Sequence, residues 1–167
     1  MKFTLASLVT LAALVSANPL KRDQFSDDAL SLHNTNRARY GANPLSYDNN
    51  LASGAASYAA QCNWGHSSGN YGENLYALST SGGTIQQAVQ SWMDEASQYN
   101  YNDPGFSEAT GHFTQVVWKA TTTLGCGLHV CSTGSPWGSG SWTYIVCRYT
   151  PPGNVEGEFA QNVGRPQ

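Results

Sequence analysis

The chain has 167 residues, of which 40% are hydrophobic and 11% are charged, and its formal net charge is −3. Without the three basic residues of the first 22 positions, five basic residues remain against eleven acidic ones, a net charge of −6. This balance argues against nucleic acid or an anionic membrane surface as a partner. The length after residue 22 is that of one domain with a sizeable core.

The first 22 residues have the pattern of a targeting segment. Lys2 precedes an apolar run from Phe3 to Val15, and small residues follow at Ser16 and Ala17. Because spanning a bilayer takes about 20 apolar residues, we predict a signal peptide over residues 1–17 rather than an integral membrane segment. The alternative is a buried N-terminal helix. The dibasic pair Lys21-Arg22 predicts a propeptide over residues 18–22, followed by a secreted, extracellular domain over residues 23–167.

Two helices are predicted in the first part of this domain. Asp27-Asp28 is a capping signal for a helix that runs to about Tyr40, with Ala29, Leu32, Asn36 and Tyr40 on one face. A second helix is predicted from about Asn50 to Gln61. Its inward face is rich in alanine, so we expect another element to pack closely against it.

The third helix has the clearest signal. Thr84 and Gln87 form a capping box, and apolar residues then recur at helical spacing up to Tyr99. Glu95 lies on this inward stripe, whereas Asp94 points away from it. A carboxylate on a buried stripe is costly unless it is paired, hydrogen-bonded or bound to a ligand. Glu95 is therefore a candidate functional residue, unless it borders the stripe and reaches water.

Three strands are predicted in the second half of the chain. Gly111–Trp118 alternates β-branched and aromatic residues and predicts a central strand with His112 at its mouth. Leu124–Cys131 and Trp142–Tyr149 predict two further strands, joined closely enough to be antiparallel neighbours. The tail from Thr150 to Gln167 has no strong period and is predicted as coil.

The four cysteines predict two disulfide bonds, since the chain has a secretory leader pattern. Three pairings are possible, and the sequence by itself does not choose among them. The spacing of Cys126 and Cys131 lacks a second matching pair, which argues against a structural zinc site built from thiolates.

Two histidines and two glutamates form a candidate cluster, namely His66, Glu73, Glu95 and His112. Imidazole and carboxylate ligands suit Zn²⁺, with open positions left for water. The same residues could hold together without a metal, each carboxylate accepting an imidazole N–H. None has the H-E-x-x-H spacing, so sequence position alone does not bring them together.

These residues lie in segments that resemble the CAP superfamily of cysteine-rich secretory proteins, antigen 5 and pathogenesis-related protein 1. The segments are HSSGNYGENL, WMDEASQY, GHFTQVVW and YIVCRYTPPGN. The resemblance extends from HNTNRARYGANPLSYDNNLA to PPGNVEGEFAQNV, essentially the whole domain, and is nearest to the single-domain fungal secreted members.

The resemblance implies an α/β fold, an α-β-α sandwich with a three-stranded antiparallel sheet between helices. It implies a cleft lined by His66, Glu73, Glu95 and His112. Some members bind Zn²⁺ or Mg²⁺ there, which would make His66 and His112 the ligands, although no cofactor is required. It also implies the disulfide pairs that are formed by Cys62 with Cys131 and by Cys126 with Cys147.

For function, the resemblance implies a secreted protein that binds and carries sterols or other small hydrophobic compounds, and it leaves enzymatic activity open. Yeast-like relatives do so through an aromatic loop after the third helix, which here contains Tyr99, Tyr101, Pro104 and Phe106. An exposed aromatic loop is a reasonable platform for a sterol. The alternative is that these aromatic residues only cover the helix end. A second family activity is fatty-acid binding between helices, which the small residues around Ala52, Ala55 and Ala59 could allow.

Two other functions stay open at this point. One is a metal-dependent hydrolase, with Glu95 or Glu73 as the base and a zinc-bound water as the nucleophile. The other is an effector or interaction protein that acts on a host or on neighbouring cells. For each of these functions we expect a monomer. Plant relatives also release a C-terminal peptide, which would begin here at Pro151. The preceding Arg148 departs from the plant pattern, so the sequence leaves that processing open.

Overall fold

The computed structural model describes residues 23–167, so the predicted signal peptide and propeptide lie outside the described residues. A short 3₁₀ turn, Glu95–Gln98, follows the third helix directly. None of the helices in residues 23–167 is long and apolar enough to cross a membrane. In chain order the helices and strands are α1 Gln24–Arg39, β1 Ser46–Tyr47, α2 Asn49–Ala59, β2 Gly72–Leu78, α3 Ile85–Asp94, α4 Gly111–Val116, β3 Thr123–Cys131, β4 Trp142–Thr150 and α5 Phe159–Asn162.

The sheet has the strand order β1-β3-β4-β2. β4 is its central long strand and pairs antiparallel with both β3 and β2. β1 adds only two residues, paired parallel to β3. The predicted α/β class with three antiparallel strands is therefore confirmed, with β1 as a short fourth strand. Both strands predicted at Leu124–Cys131 and Trp142–Tyr149 are present, each one residue longer.

The prediction of a strand at Gly111–Trp118 is wrong, because this segment forms helix α4. Its apolar residues Phe113, Val116 and Val117 are fully buried and fall on one side at helical spacing. A helix of six residues is not stable by itself, so contacts with the rest of the chain outweigh the local strand propensity. The third antiparallel strand is instead β2, which the sequence pattern did not reveal.

Helix α1 begins earlier than predicted, and its buried face only partly coincides with the predicted one. Its cap is Asp23, whose carboxylate accepts a hydrogen bond from the Ser26 N–H. The predicted face is correct for Ala29 and Tyr40. Between them, however, the fully buried side chains are the polar His33 and Arg37. These two residues are buried because each finds polar partners inside the protein.

Arg37 connects α1 to the end of α4. Its guanidinium donates hydrogen bonds of 2.9 Å to the carbonyls of Val116 and Trp118, and it also reaches those of Asn43 and Thr121. The last carbonyls of a helix have no partner within the helix, so Arg37 satisfies this end of α4. Its own burial is compensated by four acceptors.

Helix α2 packs unusually close to the sheet. A side chain at Gly125 or Gly127 of β3 would collide with the backbone of α2 near Ala52 and Ala56. The glycines of β3 and the alanine-rich face of α2, which the sequence predicts to be closely packed, together allow this short distance. Ala55 of α2 is itself fully buried.

Two disulfide bonds complete the fold, and their pairing is the one that the resemblance implies. The bond between Cys62 and Cys131 ties the loop after α2 to the end of β3. The other joins Cys126 and Cys147, which lie opposite one another in the β3–β4 register.

Candidate functional site

The first half of the candidate site is the pair His66 and Glu73. His66 lies in the loop before β2, and Glu73 is the second residue of that strand. The His66 Nδ1 atom is 3.2 Å from Glu73 Oε1. The Ser67 N–H donates to the same oxygen at 2.9 Å. The loop backbone and the strand side chain therefore hold the imidazole and the carboxylate together.

A buried arginine fixes the Glu73 carboxylate from the opposite side. Arg148 of β4 donates from Nε to Glu73 Oε2 at 3.1 Å and from Nη2 to Ser67 Oγ at 2.9 Å. Its guanidinium lies over the Tyr71 ring, 4.2 Å from the ring centroid. Burial alone raises the pKa of Glu73, but the hydrogen bonds from His66, Ser67 and Arg148 outweigh it and lower this pKa to about 2. Glu73 is therefore ionised at neutral pH.

The second half of the site is the pair Glu95 and His112. The Glu95 carboxylate lies 2.6 Å from His112 Nδ1. Its other oxygen accepts hydrogen bonds of 3.0 Å from the backbone N–H groups of His112 and Phe113. The Glu95 side chain therefore caps the N-terminus of α4 and at the same time orients the imidazole of His112. The His112 ring also stacks on Trp92 of α3, with centroids 6.1 Å apart.

The two pairs meet at one cleft with two cavities. His66, Glu73 and His112 line a cavity of about 330 Å³, which we call the Phe106 cavity because Phe106 lies at its side. His112 and Glu95 line a neighbouring cavity of about 350 Å³, which contains Trp64 and Trp137. His112 belongs to both cavities and therefore links the four residues.

The donor set is suited to a divalent cation held by two imidazoles. Both histidines use Nδ1 toward a carboxylate, which leaves Nε2 as the nitrogen that can bind a metal. Within residues 23–167, one group of three histidine, cysteine or acidic side chains has its potential ligand atoms within 4.8 Å of one another. It consists of Cys62, His129 and Cys131. Its two cysteines form a disulfide and cannot ligate as thiolates. The cleft would therefore supply His66 and His112, with water completing the coordination.

The loop with the candidate lipid-binding residues is only partly exposed. Tyr99 is 8% exposed and packs edge-on against Tyr101, whose ring lies under the guanidinium of Arg165. Burial raises the pKa of Tyr101 to about 12. Pro104 is exposed, and Phe106 has an exposed fraction of 56%. Of the four predicted loop residues, Pro104 and Phe106 are exposed, whereas Tyr99 and Tyr101 pack against each other at the helix end.

Several residues of the site had not been predicted as site residues from the sequence. Arg148 had a usable signal, since it is a lone basic residue within the apolar strand sequence YIVCRY. Ser67 gave no such signal. Its hydroxyl is held by Glu73, Arg148 and Tyr71, which does not leave it as a free nucleophile. Trp64 and Trp137 lie in irregular segments with no periodicity that could have placed them at a cavity.

Comparison with known proteins finds relatives over most of the chain. The model of the cysteine-rich secretory protein (CAP) family matches residues 30–149. Pathogenesis-related protein 1 of Arabidopsis thaliana is 40% identical over 155 residues, covering 88% of this chain and 90% of that protein. Protein PRY2 of Saccharomyces cerevisiae is 45% identical over 145 residues, covering 83% of this chain but only 41% of the yeast protein. The Candida albicans protein "Repressed by EFG1 protein 1" is 42% identical, and the match spans 51% of its length.

Solved structures show the same fold. The crystal structure of NaASP2 with Zn²⁺ has a TM-score of 0.70 and 26% identity, covering 86% of this chain and 88% of that one. Hookworm platelet inhibitor superimposes with a TM-score of 0.69 at 23% identity, covering 90% and 82%. The fold, the family match and the full-length likeness to a plant protein lead to one conclusion. The chain belongs to the cysteine-rich secretory protein (CAP) family.

Proposed function

We propose that this protein is secreted and binds sterols or related small hydrophobic compounds at the Phe106 cavity. The observation that carries the proposal is the exposed ring of Phe106 beside a cavity of about 330 Å³. A mostly concave site of this volume is within the range of small-molecule pockets. The two disulfides are typical of proteins that fold in an oxidising compartment.

The cavity combines apolar and polar walls in a way that suits an amphipathic ring system. The Phe106 ring lies against Gly111, where a side chain would come within 3.0 Å of it. Asn74, Asn154 and Glu108 line the same cavity and offer partners for a hydroxyl group. A sterol has one hydroxyl on a large apolar body, so it would place that body on Phe106 and its hydroxyl toward the polar wall.

Replacing Phe106 with alanine is expected to weaken cholesterol or ergosterol binding by at least about tenfold, because the main exposed apolar contact is removed. Saturation binding of a radiolabelled sterol to the purified protein would measure this. Val155→Ala is the matched control, since Val155 is another exposed apolar residue. The proposal fails if the unaltered protein shows no saturable sterol binding, or if the Phe106→Ala variant binds the sterol as tightly as the unaltered protein.

The cleft also favours a second candidate function, the binding of a divalent cation such as Zn²⁺ or Mg²⁺. It is favoured by the two carboxylate-oriented imidazoles of His66 and His112. A bound cation would supply a Lewis acid to a ligand in the cleft. The surrounding residues orient the imidazoles whether or not a cation is present.

Removing either imidazole is expected to weaken Zn²⁺ binding by at least about tenfold, since each supplies one of two protein ligands. Isothermal titration calorimetry of His66→Ala and His112→Ala would show the loss. His129→Ala is the control, because His129 is an exposed histidine of β3 outside the cleft. Equal Zn²⁺ affinity in all three variants would mean that the cleft is not the cation site.

A further inference from the structure

Two tryptophans with large exposed fractions lie at one cavity. Trp137 is 56% exposed and Trp64 is 47% exposed. Leaving an indole in water forgoes the burial of one of the largest apolar side chains. Both rings line the cavity of about 350 Å³ that also contains Glu95 and His112. Clustered exposed aromatic residues at a cavity are typical of a ligand-contacting surface.

The two rings are supported differently. Trp64 packs against Trp142 and Tyr144, with ring centroids 6.3 Å and 5.5 Å away, so its position is fixed by the core. Trp137 lies in the turn between β3 and β4, where its backbone N–H donates to the Ser135 hydroxyl at 3.2 Å. One aromatic surface is therefore rigid, and the other is carried by a turn.

A polar depression along α3 adjoins this cavity. A second cavity, of about 530 Å³, shares Tyr76 and Ser91 with the first and is lined by Gln86, Gln90 and Asp94. Each of these two glutamines uses one amide N–H on a neighbouring carboxylate. Within residues 23–167, its second N–H and its carbonyl oxygen remain for a ligand. We call the two cavities together the tryptophan groove.

We propose that the tryptophan groove binds a neutral oligosaccharide. A pyranose ring has an apolar face of C–H bonds and a belt of hydroxyl groups around its edge. The face matches Trp64 and Trp137, which would stack on sugar rings, and the hydroxyls match the amides and carboxylates of Gln86, Gln90 and Glu95. The two cavities share the lining residues Tyr76 and Ser91, so together they offer surface for more than one sugar unit.

The charges and polar groups of the groove select this ligand class. Among the described residues, neither cavity is lined by a lysine or arginine, and both contain a carboxylate, Glu95 or Asp94. An anionic glycan would therefore meet repulsion. The groove differs from the Phe106 cavity in its aromatic surface, since two exposed indole rings line the groove and one exposed phenyl ring lines the Phe106 cavity.

The test uses the protein expressed from the full chain and titrated with three hexasaccharides. These contain β-1,3-linked glucose, β-1,4-linked glucose or β-1,4-linked N-acetylglucosamine. Calorimetry and tryptophan fluorescence are expected to show saturable binding of at least one of them. Trp137→Ala should weaken that binding by at least about tenfold, whereas Trp137→Tyr, which keeps an aromatic face, should retain most of it. Phe106→Ala should bind the sugar as the unaltered protein does.

Trp137 is the residue of choice because its side chain is mostly exposed, so its replacement should leave the melting temperature unchanged. The proposal is overturned if none of the three sugars binds at about 1 mM, or if Trp137→Ala binds them undiminished. It is also overturned if a heparin hexasaccharide binds more tightly than every neutral one. Loss of a dimer in Trp137→Ala, without sugar binding by the parent, would assign the groove to a second copy of the chain instead.

Discussion

Replacing Arg37 with methionine is expected to lower the free energy of unfolding by about 4 kcal/mol. Four carbonyl groups would lose this donor, and three of them, those of Val116, Trp118 and Thr121, belong to buried residues. Burial lowers the pKa of Arg37 to about 10, which still leaves it charged at neutral pH. Its hydrogen bonds are therefore charge-assisted.

Urea unfolding followed by tryptophan fluorescence would measure this loss as a shift of the midpoint at constant slope. Arg37→Lys keeps the charge but not the planar fork, so we expect an intermediate loss. Arg39→Met is the matched control in the same helix, because Arg39 is exposed and its replacement should change stability by less than about 0.5 kcal/mol. A loss of under about 1 kcal/mol in Arg37→Met would show that Arg37 does not hold α4 in place.

The second large effect concerns acid stability and Glu73. Its pKa is lowered from 4.5 to about 2 in the folded protein. The folded state therefore binds this proton less readily than the unfolded state. The resulting stabilisation is complete above about pH 4.5 and is lost as the pH falls toward 2. A shift of this size corresponds to a loss on the order of 3 kcal/mol.

Unfolding curves between pH 5 and pH 2 should show this loss in the parent protein and not in Glu73→Gln. The variant should also be less stable at neutral pH, because Arg148 loses its carboxylate partner. Glu156→Gln, at an exposed position, should follow the parent curve. Parallel curves for Glu73→Gln and the parent would contradict the assignment of acid sensitivity to this carboxylate.

The buried histidine His33 also affects acid stability, but over a higher pH range than Glu73, so the two contributions can be distinguished. Burial lowers the pKa of His33 from 6.5 to about 4. The unfolded state takes up this proton first, so stability falls as the pH decreases from 6.5 to about 4. Because both the parent and Glu73→Gln keep His33, their difference below pH 4.5 reports on Glu73.

Helix α4 shows how two distant side chains decide the structure of a segment. Glu95 accepts hydrogen bonds at its start, and Arg37 donates to the carbonyls at its end. Both partners lie outside Gly111–Trp118. The residue pattern within that segment does not reveal them, and its alternation by itself predicts a strand. The helix presents His112 between two cavities, one with Phe106 and one with the exposed tryptophans.

The sequence by itself determined the features that rest on local signals. The capping box of Thr84 and Gln87, the apolar stripe of α3, and the strands β3 and β4 could be predicted from spacing and residue type. The family could also be identified, because its motifs are long and occur in order. In these segments, local propensity and burial favour the same structure.

The tertiary structure decided what depends on contacts between distant residues. It made Gly111–Val116 a helix and Gly72–Leu78 a strand, and it matched His66 with Glu73 and Glu95 with His112. It also placed Arg148 behind Glu73. No periodicity encodes such pairs, because the free energy of a buried charge depends on partners that only the folded chain brings within hydrogen-bond distance.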